Sequence, residues 1–277
     1  IQSDEETVDL NVLAKMIQYF DAMLQPGGNN HNQYSVLIRV PSQQCTTQFN
    51  LDSVFNTEEV KNGLNHFKNN DQRRIYEFTG DSVSLTATKP TKETPGSKKF
   101  KYHSEYVLIS SVAPNQSPLE KILTNTNNNQ CVVLYTYNSP CIKKCITDAN
   151  KNILKGLLDW KVKQTTGIKA FVFQEIWQGD LSANLEEQFA KIDNLVPLYR
   201  CVKNDNQMQC YKCGDSYRET FISVLILKVT FSGRLHKLLL VLKVSRSNLF
   251  FKAGHNFLKS DWSILNLKSK TEHLVNS

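Results

Sequence analysis

The alternation of apolar and amphipathic segments between residues 31 and 215 most constrains what this chain of 277 residues can fold into. Residues 131–137 (CVVLYTY) and residues 170–176 (AFVFQEI) are rich in β-branched and aromatic side chains, which is typical of buried strands. Each run precedes a segment with helical periodicity, residues 141–163 and residues 181–195 respectively. Strands that are joined through helices of this length lie parallel in one sheet. The pattern therefore predicts an α/β fold whose sheet is covered by helices on both faces.

Shorter segments complete the predicted order of elements. Apolar runs predict strands at residues 34–40, 73–78, 82–88 and 198–202, and helical spacing predicts a helix at residues 57–69. Residues 89–101 contain prolines, a glycine and several lysines and are predicted to be a polar loop. A helix is predicted from His103 through Val112, followed by a second helical turn at residues 119–123.

The composition changes along the chain and predicts three parts. Apolar residues between Val8 and Leu24 recur at helical spacing, so residues 1–30 are predicted to hold an amphipathic helix beside a central domain at residues 31–215. Residues 1–215 carry 23 basic and 23 acidic side chains, whereas residues 216–277 carry 10 basic and 3 acidic ones. The net charge of +7 therefore comes from an atypical basic C-terminal tail and is weak evidence for a nucleic-acid partner.

Two further features concern the compartment of the protein. The apolar stretch at residues 221–244 is interrupted by four basic side chains, so no membrane span is predicted. The chain begins at Ile1 rather than Met, which removal of a secretory signal peptide would explain, as would an arbitrarily chosen start. Secretion would permit disulfides, although the seven cysteines cannot all pair with one another.

Two short motifs carry the chemistry. His103 and Glu105 (HSE) lie where a helix is predicted to begin, and Pro140, Cys141 and Cys145 (SPCIKKC) follow the buried strand at residues 131–137. The two cysteines are four residues apart, so both thiolates leave a helical turn in the same direction. One imidazole and two thiolates would hold Zn²⁺ with a fourth position open, which is typical of catalytic zinc sites. Glu105 is near enough in sequence to move protons there without being a ligand.

An H-x-E motif followed by P-C-x-x-C is the pattern of zinc deaminases of the cytidine deaminase type, and this chain resembles them. The neighbouring segments KKFKYHSEYVLISS and VVLYTYNSPC are most similar to the secreted AID/APOBEC-like deaminases of fish and other vertebrates. The resemblance covers about residues 31–202 and departs from the pattern at Cys145, which follows Cys141 by four residues instead of three. It implies a three-layer cytidine deaminase-like fold, with a mixed five-stranded sheet and helices on both faces.

The resemblance also implies a reaction. Water adds at C4 of a cytosine ring, Glu105 carries the proton to N3 and then to the amino group, and ammonia leaves. The expected substrate is cytosine in a nucleic acid or nucleotide, with single-stranded nucleic acid as one candidate.

Relatives line the base pocket just before the cysteine motif, which makes Tyr137 and Ser139 candidate contacts. Trp177 follows the next strand and is a candidate stacking ring, although a tryptophan packed in the core is the more frequent outcome. Three lysines lead to His103 in the polar loop, where a phosphate backbone could lie or where they could simply be solvated: Lys98, Lys99 and Lys101.

The remaining cysteines allow several interpretations. Cys210 and Cys213 have the spacing of metal ligands, but a local disulfide involving them or Cys201 is favoured in a secreted protein. Cys45 and Cys131 are expected to be buried or paired.

Two other functions remain open. The first is a deaminase of free nucleosides, and the second is a catalytically silent, secreted binding protein that retains the metal for stability. Glu105 favours an enzyme, because an inactive site has no need of a carboxylate at that position. The oligomeric state cannot be inferred from the sequence.

Overall fold

The computed structural model describes residues 6–25, 32–50, 54–55, 57–70, 72–94, 97, 99–110, 116–124, 130–204, 207–214, 241–245 and 248–252. By its contacts the chain divides into two compact units, residues 1–215 and residues 216–277. The described part of the second unit is an antiparallel pair of strands, Val241–Ser245 and Asn248–Lys252. In the part of the chain that the structure describes, no helix has the length and apolar character needed to cross a membrane.

The first unit alternates helices and strands in the following order: α1 (Leu10–Leu24), β1 (Ser35–Pro41), α2 (Gln43–Thr46), α3 (Thr57–Asn69), β2 (Ile75–Thr79), β3 (Ser84–Thr88), β4 (Thr91–Lys92), β5 (Phe100–Tyr102), α4 (Ser104–Ile109), α5 (Pro118–Leu123), β6 (Gln130–Asn138), a π-helical turn (Ile142–Ile146), α6 (Leu154–Lys163), β7 (Ile168–Glu175), a 3₁₀ turn (Gln178–Asp180), α7 (Leu185–Asp193), β8 (Leu198–Asn204) and β9 (Gln207–Lys212). The second unit contributes β10 and β11, the two strands given above.

The central sheet confirms the predicted mixed α/β architecture but has seven strands instead of five. Its order is β2-β3-β1-β6-β7-β8-β9. β6, β7 and β8 run parallel, and every other neighbouring pair is antiparallel. The edge strand β9 was not predicted. In this strand the exposed Gln207 and Gln209 alternate with the buried Met208 and Cys210. That alternation was the available signal.

One face of the sheet is covered by α1 and α3. Asp9 caps α1 by accepting hydrogen bonds from the backbone N–H groups of Asn11 and Val12. The apolar stripe of α1 is buried from Leu13 to Leu24, whereas Leu10 is 39% exposed. The buried part joins the same hydrophobic core as α3 and alternate residues of β1 and β6. The N-terminal helix is thus part of this unit's core rather than an external addition.

The other face carries α4 and α7. Phe189 of α7 packs on Phe173 of β7 with ring centroids 5.2 Å apart. The hydroxyl of Thr88 in β3 donates to the carbonyl oxygen of Ser104 at the start of α4. Because helices lie on both faces, the predicted three-layer arrangement is confirmed, and the start of α4 is held against the sheet at the position where the HSE motif occurs.

The prediction of one continuous helix over residues 141–163 is wrong for the middle of that range. The chain forms only a π-helical turn after Cys141 and resumes a helix at Leu154. Asp148 accepts hydrogen bonds from the N–H groups of Asn150 and Lys151, and the side-chain amide of Asn152 donates to the carbonyl of Asp148. Such local side-chain bonds compete with helical ones, which explains the interruption.

Two other predicted helices are shorter than expected. α4 ends at Ile109 rather than Val112, and residues 111–115 lie outside the described part. α7 begins at Leu185 because the preceding residues form the 3₁₀ turn and a further turn.

Two disulfides cross-link the first unit. Cys45 pairs with Cys131 across 86 residues, and Cys201 pairs with Cys210 between β8 and β9. The Cys210–Cys213 alternative is therefore wrong, and Cys213 is a buried free thiol. In the chain-entropy treatment, closing a loop of this length stabilises the folded state by roughly 4–5 kcal/mol for the first disulfide.

Candidate metal centre and active site

Three side chains from two separate elements meet at one end of the sheet. His103 is the residue before α4, Cys141 is the residue before the π-helical turn that follows β6, and Cys145 lies within that turn. Nδ1 of His103 lies 3.6 Å from Sγ of Cys141 and 3.4 Å from Sγ of Cys145, and the two sulfurs are 3.9 Å apart. The predicted pattern of one imidazole and two thiols is therefore brought together by the fold.

These spacings suit a tetrahedral zinc ion. With Zn–S of about 2.3 Å and Zn–N of about 2.0–2.1 Å, tetrahedral ligands lie about 3.6–3.8 Å from one another. The three observed separations agree with this range to within a few tenths of an ångström. Among the described residues, these three form the group of His, Cys, Asp or Glu side chains that could hold a metal ion. The donor set therefore fits Zn²⁺, with one tetrahedral position left for another ligand.

The electrostatic surroundings favour a thiolate at Cys141. Its hydrogen bond with Cys145, together with the neighbouring His103, lowers the pKa of Cys141 to about 4. The thiolate is the form that binds metal, so this sulfur is prepared for coordination at neutral pH. Both sulfurs are buried, with exposed fractions of 7% for Cys141 and 1% for Cys145.

Glu105 lies one residue into α4 and is almost fully buried, at 1% exposure. Burial raises the pKa of its carboxyl group, although the nearby His103 and a hydrogen bond from Thr136 oppose the shift. Oε1 accepts from the Thr136 hydroxyl at 3.0 Å and from the Gln33 amide at 3.1 Å. This carboxyl group is thus fixed beside the three ligands without belonging to them.

The loop after β7 is connected to the cysteine-bearing turn by Ser139 and Asp180. The backbone N–H of Trp177 donates to Oγ of Ser139 at 3.0 Å, and Asp180 Oδ2 accepts from the N–H of Ile142 at 2.8 Å. Ser139 is buried and therefore supports this loop from inside. The indole of Trp177 is 46% exposed, so the more frequent outcome of a core tryptophan does not apply.

Tyr137 occupies a different environment from the one predicted. Successive residues of a strand face opposite sides of the sheet, and Thr136 is the one that reaches Glu105. Tyr137 is 4% exposed and stacks on Tyr34 within the core shared with α1. The structure therefore corrects the pocket assignment of Tyr137, because its ring lies on the face away from Glu105.

A cluster of cations and aromatic rings adjoins His103. Lys99 and Lys101 are exposed, while Lys98 lies outside the described residues. Tyr102 and Tyr106 stack in parallel with centroids 5.1 Å apart. The Nζ atoms of Lys101 and Lys151 lie 5.3 and 5.9 Å from the Tyr102 ring centroid.

Lys144 and Lys151 also line the small cleft that runs from Lys101 to Cys145. The tyrosine pair and these two lysines were not predicted as site residues. No local pattern signalled the pair, because Tyr102 ends β5 and Tyr106 lies in α4. Lys151 is brought near by the interrupted helix.

A protein-family comparison agrees with this geometry. The family model described as Secreted Novel AID/APOBEC-like Deaminase 1 matches residues 10–221. The chain belongs to this family. Its match to the AID/APOBEC-like deaminases begins at α1 and includes both metal-ligand motifs and β9. No curated protein and no solved structure matches the chain significantly. The family and the His-Cys-Cys group together identify a deaminase-like protein.

Proposed function

We propose that this protein is a zinc-dependent hydrolytic deaminase that converts cytosine to uracil in a nucleic acid or nucleotide. The observation that carries the proposal is the buried Glu105 held beside a three-ligand group that leaves one coordination position open. Membership of an AID/APOBEC-like deaminase family supports the same reaction. A binding protein with a purely structural metal would gain nothing from a buried carboxylate at this position, since burying such a group is costly.

The proposed mechanism assigns the proton transfers to Glu105. His103, Cys141 and Cys145 would hold Zn²⁺, which supplies Lewis-acid activation of water when bound. Glu105 takes one proton from the attacking water and delivers it to ring N3, and it then moves the second proton, from the new C4 hydroxyl, to the amino group, which leaves as ammonia. Burial raises the pKa of Glu105, which brings its proton affinity closer to that needed for transfer near neutral pH.

The substrate we favour is single-stranded nucleic acid. Lys101, Lys144 and Lys151 lie on one side of His103 around the stacked Tyr102 and Tyr106. Both tyrosines are partly exposed. Cations next to accessible aromatic rings are the combination that binds a phosphate backbone and stacks bases without sequence preference. On the cysteine side, the exposed ring of Trp177 offers another stacking surface. Local charge therefore supports this substrate even though the charges of residues 1–215 balance.

The test is ammonia release from cytidine, deoxycytidine, and single-stranded DNA and RNA by the zinc-loaded protein. Glu105→Gln should reduce kcat by about 10²–10⁴-fold while zinc content and the unfolding midpoint remain close to wild type. Elemental analysis checks the metal, with one zinc expected per chain. Loss of zinc in Glu105→Gln would contradict the assigned role, and turnover of free cytidine alone would favour the nucleoside deaminase. A zinc-loaded wild type that is inactive on every substrate would favour the silent binding protein.

We also infer that the protein is secreted. The family to which the chain belongs is described as secreted, and disulfides such as its two persist in oxidising compartments. Protein from an oxidising medium should be lighter, by intact mass, than fully reduced protein by the mass of four hydrogen atoms. Equal masses would contradict this inference.

A further inference from the structure

Gln33 lies just before β1 and reaches two elements that are distant in sequence. Its side chain contacts Glu105 in α4 and Asn138 at the end of β6. The sequence separations are 72 and 105 residues, and Gln33 belongs to neither metal-ligand motif. A half-buried glutamine with this many partners is a feature that needs a physical reason.

The orientation of the Gln33 amide is determined by a backbone group. The backbone N–H of Asn138 can only donate, and it lies 2.9 Å from Oε1 of Gln33. The side-chain Nδ2 of Asn138 approaches the same oxygen at 2.8 Å. The oxygen of Gln33 must therefore face Asn138, and its NH₂ group must face Glu105.

The NH₂ group of Gln33 enters a polar pocket around the Glu105 carboxylate. Nε2 lies 3.1 Å from Oε1 of Glu105, 3.0 Å from the Thr136 hydroxyl and 3.2 Å from the Ser104 hydroxyl. The other carboxylate oxygen of Glu105 accepts from Ser104 at 3.3 Å. Both oxygens are thus restrained. Thr136 holds Glu105 from within β6, and Gln33 adds a second connection, from Glu105 to Asn138 at the end of that strand.

We propose that Gln33 is a positioning residue that orients Glu105 relative to the cysteine side of the metal centre. Asn138 precedes Cys141 by three residues, so the amide of Gln33 connects the proton carrier to the chain that presents the sulfurs. A proton carrier must be held to within a fraction of an ångström, since small misplacement costs large factors in rate. As a statement about catalysis, the inference rests on the proposed deaminase function.

The sharpest substitution is Gln33→Glu, which keeps the size of the side chain and replaces the donating NH₂ by an oxygen that repels Glu105. The expected result is a roughly 10- to 100-fold lower kcat, with KM within about threefold of wild type and zinc retained, as for other residues that orient a catalytic group. Gln48→Glu is the matched control, because Gln48 is exposed and the charge change is the same. Wild-type kcat in Gln33→Glu, measured beside an active parent, would overturn the inference.

A second measurement does not require activity. The melting temperatures of zinc-loaded Gln33→Glu, Glu105→Gln and the double variant form a double-mutant cycle. The double variant restores one donor facing one carboxylate, so it should recover most of the stability that Gln33→Glu loses. Additive changes in melting temperature would overturn the contact and the inference with it. An inactive wild type combined with a non-additive cycle would instead reject the deaminase proposal and leave the Gln33–Glu105 pairing established.

Discussion

Hydroxyl and amide groups donate hydrogen bonds to the Glu105 carboxylate, and the removal of each donor should have a measurable effect. Thr136 lies in β6 with no exposed surface, and its hydroxyl is 3.0 Å from Oε1 of Glu105. Thr136→Val keeps the shape of the side chain but removes this bond from a buried carboxyl group. We expect a loss of about 1–3 kcal/mol in the free energy of unfolding, measured by urea denaturation. Thr136→Ser keeps the hydroxyl and should lose clearly less, and equal losses would indicate a packing effect.

The reactivity of the cysteine thiols should differ from one residue to another. Four cysteines are in disulfides, Cys141 and Cys145 face His103, and burial raises the pKa of Cys213 to about 12. Because the reactive form is the thiolate, Cys213 should remain unreactive at pH 8 in the folded protein. A chromogenic thiol reagent should find no rapidly reacting thiol in the zinc-loaded protein, one after chelation (Cys141) and three after denaturation, because the hydrogen bond with Cys141 and burial raise the pKa of Cys145. Rapid reaction of one thiol before chelation would contradict the proposed ligand set.

The contact between the loop after β7 and the π-helical turn can be tested by substitution. Asp180 of the 3₁₀ turn accepts from the first free N–H of the π-helical turn, at Ile142. Asp180→Ala should loosen the turn and weaken zinc binding by roughly 10-fold, measured by competition with a chromogenic chelator. Asp180→Asn retains an acceptor oxygen and should bind zinc more tightly than the alanine variant. Equal affinities in all three proteins would show that this contact does not position the cysteines.

The lysines beside α4 are expected to contribute to the binding of nucleic acid. Lys101→Glu combined with Lys151→Glu should weaken binding of single-stranded DNA and lower the magnitude of the salt-dependence slope by about 0.7 per lysine. The matched control is Lys15→Glu with Lys61→Glu, since both residues are exposed on helices of the opposite layer. Equal weakening by the two pairs would mean that only overall charge matters.

Elements with a strong local pattern were predictable, and contacts between distant segments were not. The helix Thr57–Asn69 occurs where its spacing predicts it, because acidic residues in its first turn and apolar residues at helical intervals favour the same structure. The meeting of His103, Cys141 and Cys145 could also be predicted, because the buried strand before the cysteines and the start of the helix after His103 have recognisable sequence patterns. Gln33 could not be found in this way, since its role depends on a partner 72 residues away.

The division of the whole molecule predicts which part of the chain is needed for folding. The described elements of the first unit end with β9, and the N–H of Cys213 donates to Leu198 in the neighbouring strand. Truncation after Gly214 should therefore leave a soluble, zinc-binding protein whose free energy of unfolding changes by no more than about 0.5 kcal/mol. Because the family match extends to residue 221, truncation after Phe221 is the control. A loss of several kcal/mol in the shorter protein alone would show that residues 215–221 belong to the fold.

The bond between Cys45 and Cys131 also determines what happens when the backbone is cut. Lys99 and Lys101 are exposed within the segment that this bond encloses, and trypsin cleaves after such residues. A molecule cleaved there would keep Gln33 on one polypeptide and Glu105 on the other, yet the two pieces would remain covalently joined. On a gel without reductant the nicked protein should therefore migrate as a single species, and it should separate into two only when thiols are added.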